Sequence, residues 1–332
     1  MKAIVTTAFG NPPKTTIENR AKPTPREGYS LVRIHTATIN QLSKYIRQGN
    51  IPGLNAPLVL GNEGAGSIEE SARFAPGTRV GIYGGNKLGI TEDGLFQEWT
   101  LVEDARLFQL PDTLNWDAGA TLSVNFLTAY RALTKAADVK AGQSILVAGA
   151  TGSVGNALVQ LGKALGARVI ALASSADKVT RARDSGAHDV IDLSQEHDVA
   201  SAVRGLTDGQ GADWAFDPVG GTVLNQLLYS VRFRGSVVSL GFAGGMEPAF
   251  DALEIIAREK RIVGYSLHAE TDEDVSCALA ELVTLAAAGK IRPLIDSTVT
   301  IDGFEEGYAR LASRKAIGSI VLHLQDNATE AR

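Results

Sequence analysis

Cysteine is nearly absent from this sequence: Cys277 is the single one in 332 residues. One thiol forms no intrachain disulfide, which suits a reducing compartment, and the chain is expected in the cytoplasm. The same scarcity excludes a four-cysteine structural zinc and leaves a Cys–His–Cys catalytic zinc without ligands. The five histidines, His35, His188, His197, His268 and His323, are scattered without a short metal spacing, so no metal site is expected. Basic residues form no run and the net charge is −5. Neither nucleic acid nor an anionic membrane is therefore an expected partner. No run of ~18 apolar residues exists to cross a bilayer. The opening MKAIVTTAFG carries no long apolar segment, so no secretory signal is expected.

What is present is an ordinary globular balance, with 44% hydrophobic and 21% charged residues, and glycine is plentiful at 35. The length suggests about two domains. The most informative stretch runs from Gln143 to Lys178. An apolar run, Ile145 to Ala148, ends at Gly149, Gly152 and Gly155, three glycines spaced by threes. Val154, Leu158, Leu161 and Leu165 then recur at helical spacing, Gly166 closes the helix, and a second apolar run spans Val169 to Ala173. Strand, glycine turn, helix and strand make a βαβ unit with a phosphate loop at its first turn. A side chain at Gly152 would keep the main chain from a pyrophosphate, and one at Gly155 would hold the helix off the strand. Thr151, Gly152, Ser153 and Val154 are thus expected to present backbone N–H groups and the positive end of the helix dipole to a dinucleotide.

The end of the second strand speaks to which dinucleotide. Where an NAD site usually places Asp or Glu, this chain has Ala173, Ser174, Ser175 and then Lys178. Two hydroxyls and an ammonium suit a 2′-phosphate, so the expected cofactor is NADPH. A helix N-cap is the competing reading of Ser174 and Ser175. Asp177 lies at the start of the next helix, where an acid is ordinary.

Around this unit the chain divides into three stretches. Residues 1–118 read as β-rich. Short strand signals at Ala3–Val5, Leu31–Ile34, Ala65–Glu69, Arg79–Tyr83 and Phe96–Leu101 are broken by glycine and by the prolines 12, 13, 23 and 25, which suggests a compact barrel-like domain. Residues 119–265 alternate strands with helix-length segments, beginning with a helical pattern over Asp117 to Leu133. Later strands fall at Asp189–Asp192, Trp214–Phe216, Val237–Phe242 and Ile262–Val263, with a polar helix near Asp198–Leu206. That alternation predicts a doubly wound parallel sheet whose ligand lies at the carboxyl ends of its strands, beside Ser174, Val219 and Gly241. Residues 266–332 add a helix at Val275–Ala288 and strands at Thr298–Ile301 and Ser319–Leu322, expected to return to the first domain.

The residues in order resemble a known family. Ile39-Asn40 through Tyr45-Ile46-Arg47-Gln48-Gly49, Gly61-Asn62-Glu63-Gly64-Ala65-Gly66 and Leu127-Thr128-Ala129-Tyr130 carry the resemblance. The phosphate loop, Asp217 to Gly221, Gly289 to Pro293 and Ile317-Gly318-Ser319-Ile320-Val321-Leu322 complete it. Over nearly its full length the chain is similar to the zinc-independent quinone oxidoreductases of the medium-chain dehydrogenase/reductase superfamily, relatives of zeta-crystallin. The resemblance implies an α/β fold, with a GroES-like β-barrel-type catalytic domain plus a Rossmann doubly wound parallel sheet and an active site in the cleft between them. It implies hydride transfer from NADPH to a quinone or another α,β-unsaturated carbonyl, and a homodimer joined through the Rossmann sheet edge. Leu240 to Phe242 and Gly264 to Ser266 would bind the carboxamide, Thr128 would pack behind the nicotinamide ring, and Gly318 joins the implied cofactor-binding set.

Zinc-dependent cousins have Gly-His-Glu where this chain has Gly61-Asn62-Glu63, and the upstream thiolate position falls near Ser43. Without a Lewis acid, alcohol oxidation loses its main electrostatic support, whereas conjugate reduction needs only hydrogen bonds and a proton at the oxygen. Tyr45 matches the family tyrosine and is either a catalytic donor to that oxygen or wall packing. Asn40 is either the amide facing cofactor or substrate, or a local turn cap. Thr128 competes with a plain helix-interior role, and Glu63 is either a support for the site or a structural carboxylate paired with an arginine. The sequence departs from the family at Leu193, where a tyrosine often stands near the adenine, in the short segment from Ser67 to Pro76, and in residues 86–94, a substrate-covering loop or a solvated turn. An enoyl-thioester reductase and a non-catalytic NADPH-binding scaffold are the alternative functions.

Overall fold

The computed structural model describes residues 1–325 and divides them into two units. The first is built from Met1–Val124 with the segment from Glu270 onward, the second from Asn125–Ala269.

The first unit is organised on an eleven-residue strand, Tyr29–Ile39, whose buried residues include Val32, Ile34 and Ala37. It pairs antiparallel with Glu63–Glu70, Trp99–Glu103 and Ser319–His323. Arg79–Tyr83 and Leu107–Gln109 extend one side, and Ile295–Thr300 closes the other by a parallel pairing to Ser319–His323. A smaller sheet of Lys2–Ala8, Lys14–Asn19 and Leu58–Val59 completes the β structure. The last segment thus contributes the strands Ile295–Thr300 and Ser319–His323 to this sheet. Glycine in the Gly61–Gly66 motif has a packing cause: a Cβ on Gly64 would stand 2.6 Å from the Thr36 carbonyl oxygen of the neighbouring strand. Lys14–Asn19 lies where the sequence suggests only a proline-rich turn. It has one large apolar residue, Ile17, and holds its place by backbone pairing to Lys2–Ala8.

The second unit is a six-stranded sheet. Its spatial order is Asp189–Asp192, Arg168–Ala173, Ser144–Val147, Ala212–Asp217, Val231–Ser239 and Arg261–Gly264, and every pairing is parallel. In chain order that is 3-2-1-4-5-6, the doubly wound arrangement, with its switch point between Ser144–Val147 and Ala212–Asp217. Strands buried on both faces read as unbroken apolar runs, which is why Ile145–Ala148 and Val169–Ala173 are visible in the sequence.

The segment from Asp117 to Leu133 departs from a plain helix. α-Helical turns at Trp116–Ala120 and Leu127–Arg131 alternate with π-helical turns at Leu122–Phe126 and Ala132–Ala136. Each π turn admits an extra residue and rotates the following side chains, a feature concentrated near functional sites.

Candidate active site

In the second unit the chain turns sharply after Ser144–Val147. Gly149 takes φ +54°, and the helix Ser153–Ala164 begins with Gly152 at its N-cap, which has no side chain to cap the first turn. A Cβ on Gly155 would press into the Gly149 carbonyl, so glycine there is fixed by contact between turn and helix. A Cβ on Gly152 would meet only the Gly149 carbonyl oxygen, at 3.4 Å, and otherwise project into open space. One glycine is thus required by packing, and the other leaves a cradle of the kind a pyrophosphate fills at a helix N-terminus. Thr151 is buried beside it.

At the end of Arg168–Ala173, Ser174 is exposed and Ser175 occupies the N-cap of the helix Ala176–Asp184, but the Ser175 hydroxyl makes no capping bond. The Lys178 ammonium reaches back one turn and donates to the Ser174 hydroxyl at 3.3 Å. Hydroxyl and ammonium are therefore already assembled. The nearest strand-end acid, Asp192, is paired in register with Ala173. Its carboxylate is taken by the Ser194 hydroxyl at 2.7 Å and the Ser194 N–H at 2.9 Å, which hold it below the usual carboxylate range. Leu193 follows, half-buried against the apolar core.

At the switch point, Asp217 ties two loops together. One carboxylate oxygen accepts from the N–H groups of Val219 at 3.0 Å and Gly220 at 2.8 Å. Its carbonyl accepts from Leu240 at 2.9 Å and Gly241 at 3.2 Å. Gly220 and Gly221 take φ +73° and +61°, and a Cβ on Gly241 would strike the Pro218 carbonyl, so the two loops lie backbone to backbone. Asp217 is fully buried, and that burial raises its carboxyl above the ordinary range against the opposing pull of the two N–H bonds. The structure thus brings Val219, Leu240 and Gly241 together, with Phe242 exposed next to them and Gly264 at the end of the adjoining strand. Asp217 is a positioning residue to which the sequence alone assigns no role. Its only signal is an acid ending an apolar run before Pro-Val-Gly-Gly. Thr128 lies half-buried in the α-helical turn between the two π turns, and Ser266 is exposed just beyond the edge strand.

The first unit carries a polar cluster at the end of Tyr29–Ile39. Asn40 caps the helix Gln41–Arg47 reciprocally with Ser43: its side-chain oxygen accepts from the Ser43 N–H at 2.9 Å. Its amide nitrogen donates to the Asn62 side-chain oxygen at 2.8 Å and lies 3.4 Å from Glu63 Oε1. Glu63, fully buried, accepts from the Thr38 hydroxyl and, at 3.1 Å, from the N–H of Val124 in the first π turn. The cap reading of Asn40 is thus realised, and its amide nitrogen lies against Asn62 and Glu63. The partners of Glu63 identified in the structure are a hydroxyl, an amide and a backbone N–H.

Tyr45 is half-buried on the same helix. The helix is fastened by Arg47, which forms a two-pronged pair with Glu305, takes Thr15 Oγ1 at 3.0 Å and lies 4.5 Å over the Tyr308 ring. Gly318 belongs to this unit, at φ +100° and pressed against the Leu294 backbone. Among the described residues, no group of three or more His, Cys, Asp or Glu side chains could hold a metal ion.

Comparison with known proteins gives one consistent picture. Residues 153–284 match the family model described as zinc-binding dehydrogenase, and residues 26–112 match the alcohol dehydrogenase GroES-like domain. A quinone oxidoreductase of Pseudomonas aeruginosa is 32% identical over 333 residues, covering 97% of this chain and 99% of that protein. Among solved structures, an NAD-dependent alcohol dehydrogenase superposes with a TM-score of 0.90 at 27% identity, over 98% of this chain and 100% of that one. A mycobacterial protein complexed with NADPH gives 0.88 at 28% identity, over 97% and 99%.

Proposed function

This chain belongs to the quinone oxidoreductases of the medium-chain dehydrogenase/reductase superfamily, a nicotinamide-dependent enzyme family, and we propose that it reduces quinones or other α,β-unsaturated carbonyls with NADPH and without a metal. The observation that carries the metal-free reading is the donor set around Asn62. An amide pinned by Asn40 and a hydroxyl at Ser43 stand there, and neither is a good zinc ligand. No Lewis acid is required if the reaction leaves charge on an oxygen that hydrogen bonds can hold.

The residues suit the cofactor. The cradle at Gly152 would take the pyrophosphate, Ser174, Ser175 and Lys178 the 2′-phosphate, and Leu193 would pack near the adenine. Val219, Leu240, Gly241, Phe242, Gly264 and Ser266 would line the nicotinamide end. When bound, NADPH supplies a hydride. The protein then has to keep water out, align the acceptor and stabilise its oxygen. Tyr45, on a helix anchored by the Arg47–Glu305 pair, is the hydroxyl assigned to that oxygen. Tyr45→Phe is expected to lower kcat about tenfold, the size of one hydrogen bond to developing charge, with the NADPH dissociation constant unchanged. Steady-state kinetics with 9,10-phenanthrenequinone and fluorescence titration of NADPH check this, and full retention of kcat would leave Tyr45 as packing only. The overall activity is tested by NADPH and NADH oxidation across quinones, enones, enoyl thioesters and aldehydes.

The protein is also read as a homodimer. Arg261–Gly264 ends the sheet with one side unpaired among the described residues, and on the preceding helix, Ala252–Arg258, Ile256 and Leu253 are 74% and 68% exposed. An open strand edge and large exposed apolar side chains are both costly to leave in water. Light scattering is expected to give twice the 35.0 kDa chain mass, and Ile256→Glu to give the monomer. A monomeric wild type would contradict this.

A further inference from the structure

The cap geometry at Asn40 has a consequence for Asn62. Because the Asn40 side-chain oxygen is committed to the Ser43 N–H, its nitrogen must face Asn62. Asn62 therefore turns its oxygen towards Asn40 and leaves its own amide nitrogen as a donor. That nitrogen is buried, in a residue 2% exposed, and has no hydrogen-bond partner among the described residues. An amide N–H shielded from water without an acceptor keeps its full desolvation cost, and native structures keep such groups where something else completes them.

The surroundings say what completes it. Glu63, next in the chain, holds Thr38, the Val124 N–H and the Asn40 amide, so the donor requirements of the carboxylate are met without Asn62. The Glu63 charge is spread over those donors and still repels an incoming anion, so the group that completes the Asn62 N–H enters as a neutral acceptor oxygen and carries charge only until a proton reaches it.

We propose that Asn62 is a catalytic residue of this site: its free amide N–H donates to the carbonyl oxygen of the quinone or enone and holds that oxygen as it becomes negative. This rests on the reductase reading above. In the reaction the acceptor gains two electrons with the hydride, the electron pair of its carbonyl system moves onto the oxygen, and a proton from solvent or Tyr45 completes the hydroxyl, while the nicotinamide loses the same two electrons. Asn62 neither gives nor takes a proton. It is a fixed dipole, oriented in advance by Asn40, whose attraction for the oxygen is greater after charge develops than before.

The test uses the full-length protein with two variants that lack the donor, Asn62→Ala and the near-isosteric Asn62→Leu. Three quantities are measured: kcat/KM for 9,10-phenanthrenequinone at saturating NADPH, binding of 9-phenanthrol, a phenol standing in for the reduced acceptor, to the NADP⁺ complex, and binding of NADPH alone. Both variants are expected to lose about 10–100-fold in kcat/KM, within the range of a single oxyanion donor. Both should bind 9-phenanthrol about tenfold more weakly and keep NADPH affinity within about twofold. Loss in only one variant, tracking side-chain volume, overturns the assignment, as does equal weakening of NADPH binding. A wild type that oxidises neither nucleotide with any quinone overturns the reductase reading itself. A working wild type with unaltered variants overturns Asn62 alone.

Discussion

Gly152→Asp is expected to abolish nicotinamide nucleotide binding while leaving the protein as stable as before. The two effects separate because Gly152 sits at the N-cap of Ser153–Ala164, at φ −75° and ψ 171°, where Asp is a preferred residue. Its carboxylate would accept the first-turn N–H groups that the glycine leaves uncapped, and a Cβ there meets nothing closer than 3.4 Å. Stability should stay level or rise by a few tenths of a kcal/mol. The same carboxylate would take the N–H groups assigned to the pyrophosphate and oppose its charge, and a loss of at least about 100-fold in affinity is expected from those terms together. Differential scanning fluorimetry with and without NADPH reads both quantities in one experiment. An unchanged ligand-induced shift in Tm would place the phosphates elsewhere.

Lys178→Glu is expected to reverse the choice of cofactor. The ammonium of Lys178 already lies against the Ser174 hydroxyl, and the Asp192 carboxylate is committed to Ser194, so the strand end offers donors and a cation to whatever binds there. A 2′-phosphate carries nearly two negative charges at neutral pH, and reversing one neighbouring charge changes its energy by about 2–3 kcal/mol in a water-exposed setting. KM for NADPH should therefore rise about 30–100-fold and KM for NADH by less than about threefold. Raising the salt to about 0.5 M should shrink the difference, since screening acts on exposed pairs. Equal effects on both nucleotides would remove the 2′-phosphate from this corner. The test matters because the solved relatives include both an NAD-dependent and an NADPH-complexed protein.

The parts of this fold that are legible in the sequence are those where one physical requirement acts on neighbouring residues. The βαβ unit is one: apolar runs for doubly buried strands, a glycine where turn and helix touch, and helical spacing after it. The strand Lys14–Asn19 is not, because an edge strand with one large apolar residue is held by backbone pairing that leaves no side-chain signature. The π turns at Leu122–Phe126 and Ala132–Ala136 are equally silent, since a single wide turn does not disturb an apolar pattern enough to be read. In the polar site, Asn40 and Tyr45 stand out through family motifs, but the pairing of Asn40 with Asn62 spans 22 residues. It exists because the register of Tyr29–Ile39 against Glu63–Glu70 sets Ala37 opposite Gly64 and so brings the two asparagines to one end. The exposed apolar side chains of Ala252–Arg258 similarly acquire meaning only once the open edge of the sheet is known.

Metal-free hydride delivery from a nicotinamide nucleotide to a conjugated carbonyl is the step proposed for this protein. Purified protein dialysed against a strong chelator, mixed with NADPH and 9,10-phenanthrenequinone, measures it directly through loss of absorbance at 340 nm. Turnover is expected with one NADPH oxidised per quinone reduced, undiminished by the chelator and not raised by zinc. No oxidation of NADPH or NADH, or activity that disappears with the chelator and returns with zinc, would contradict it.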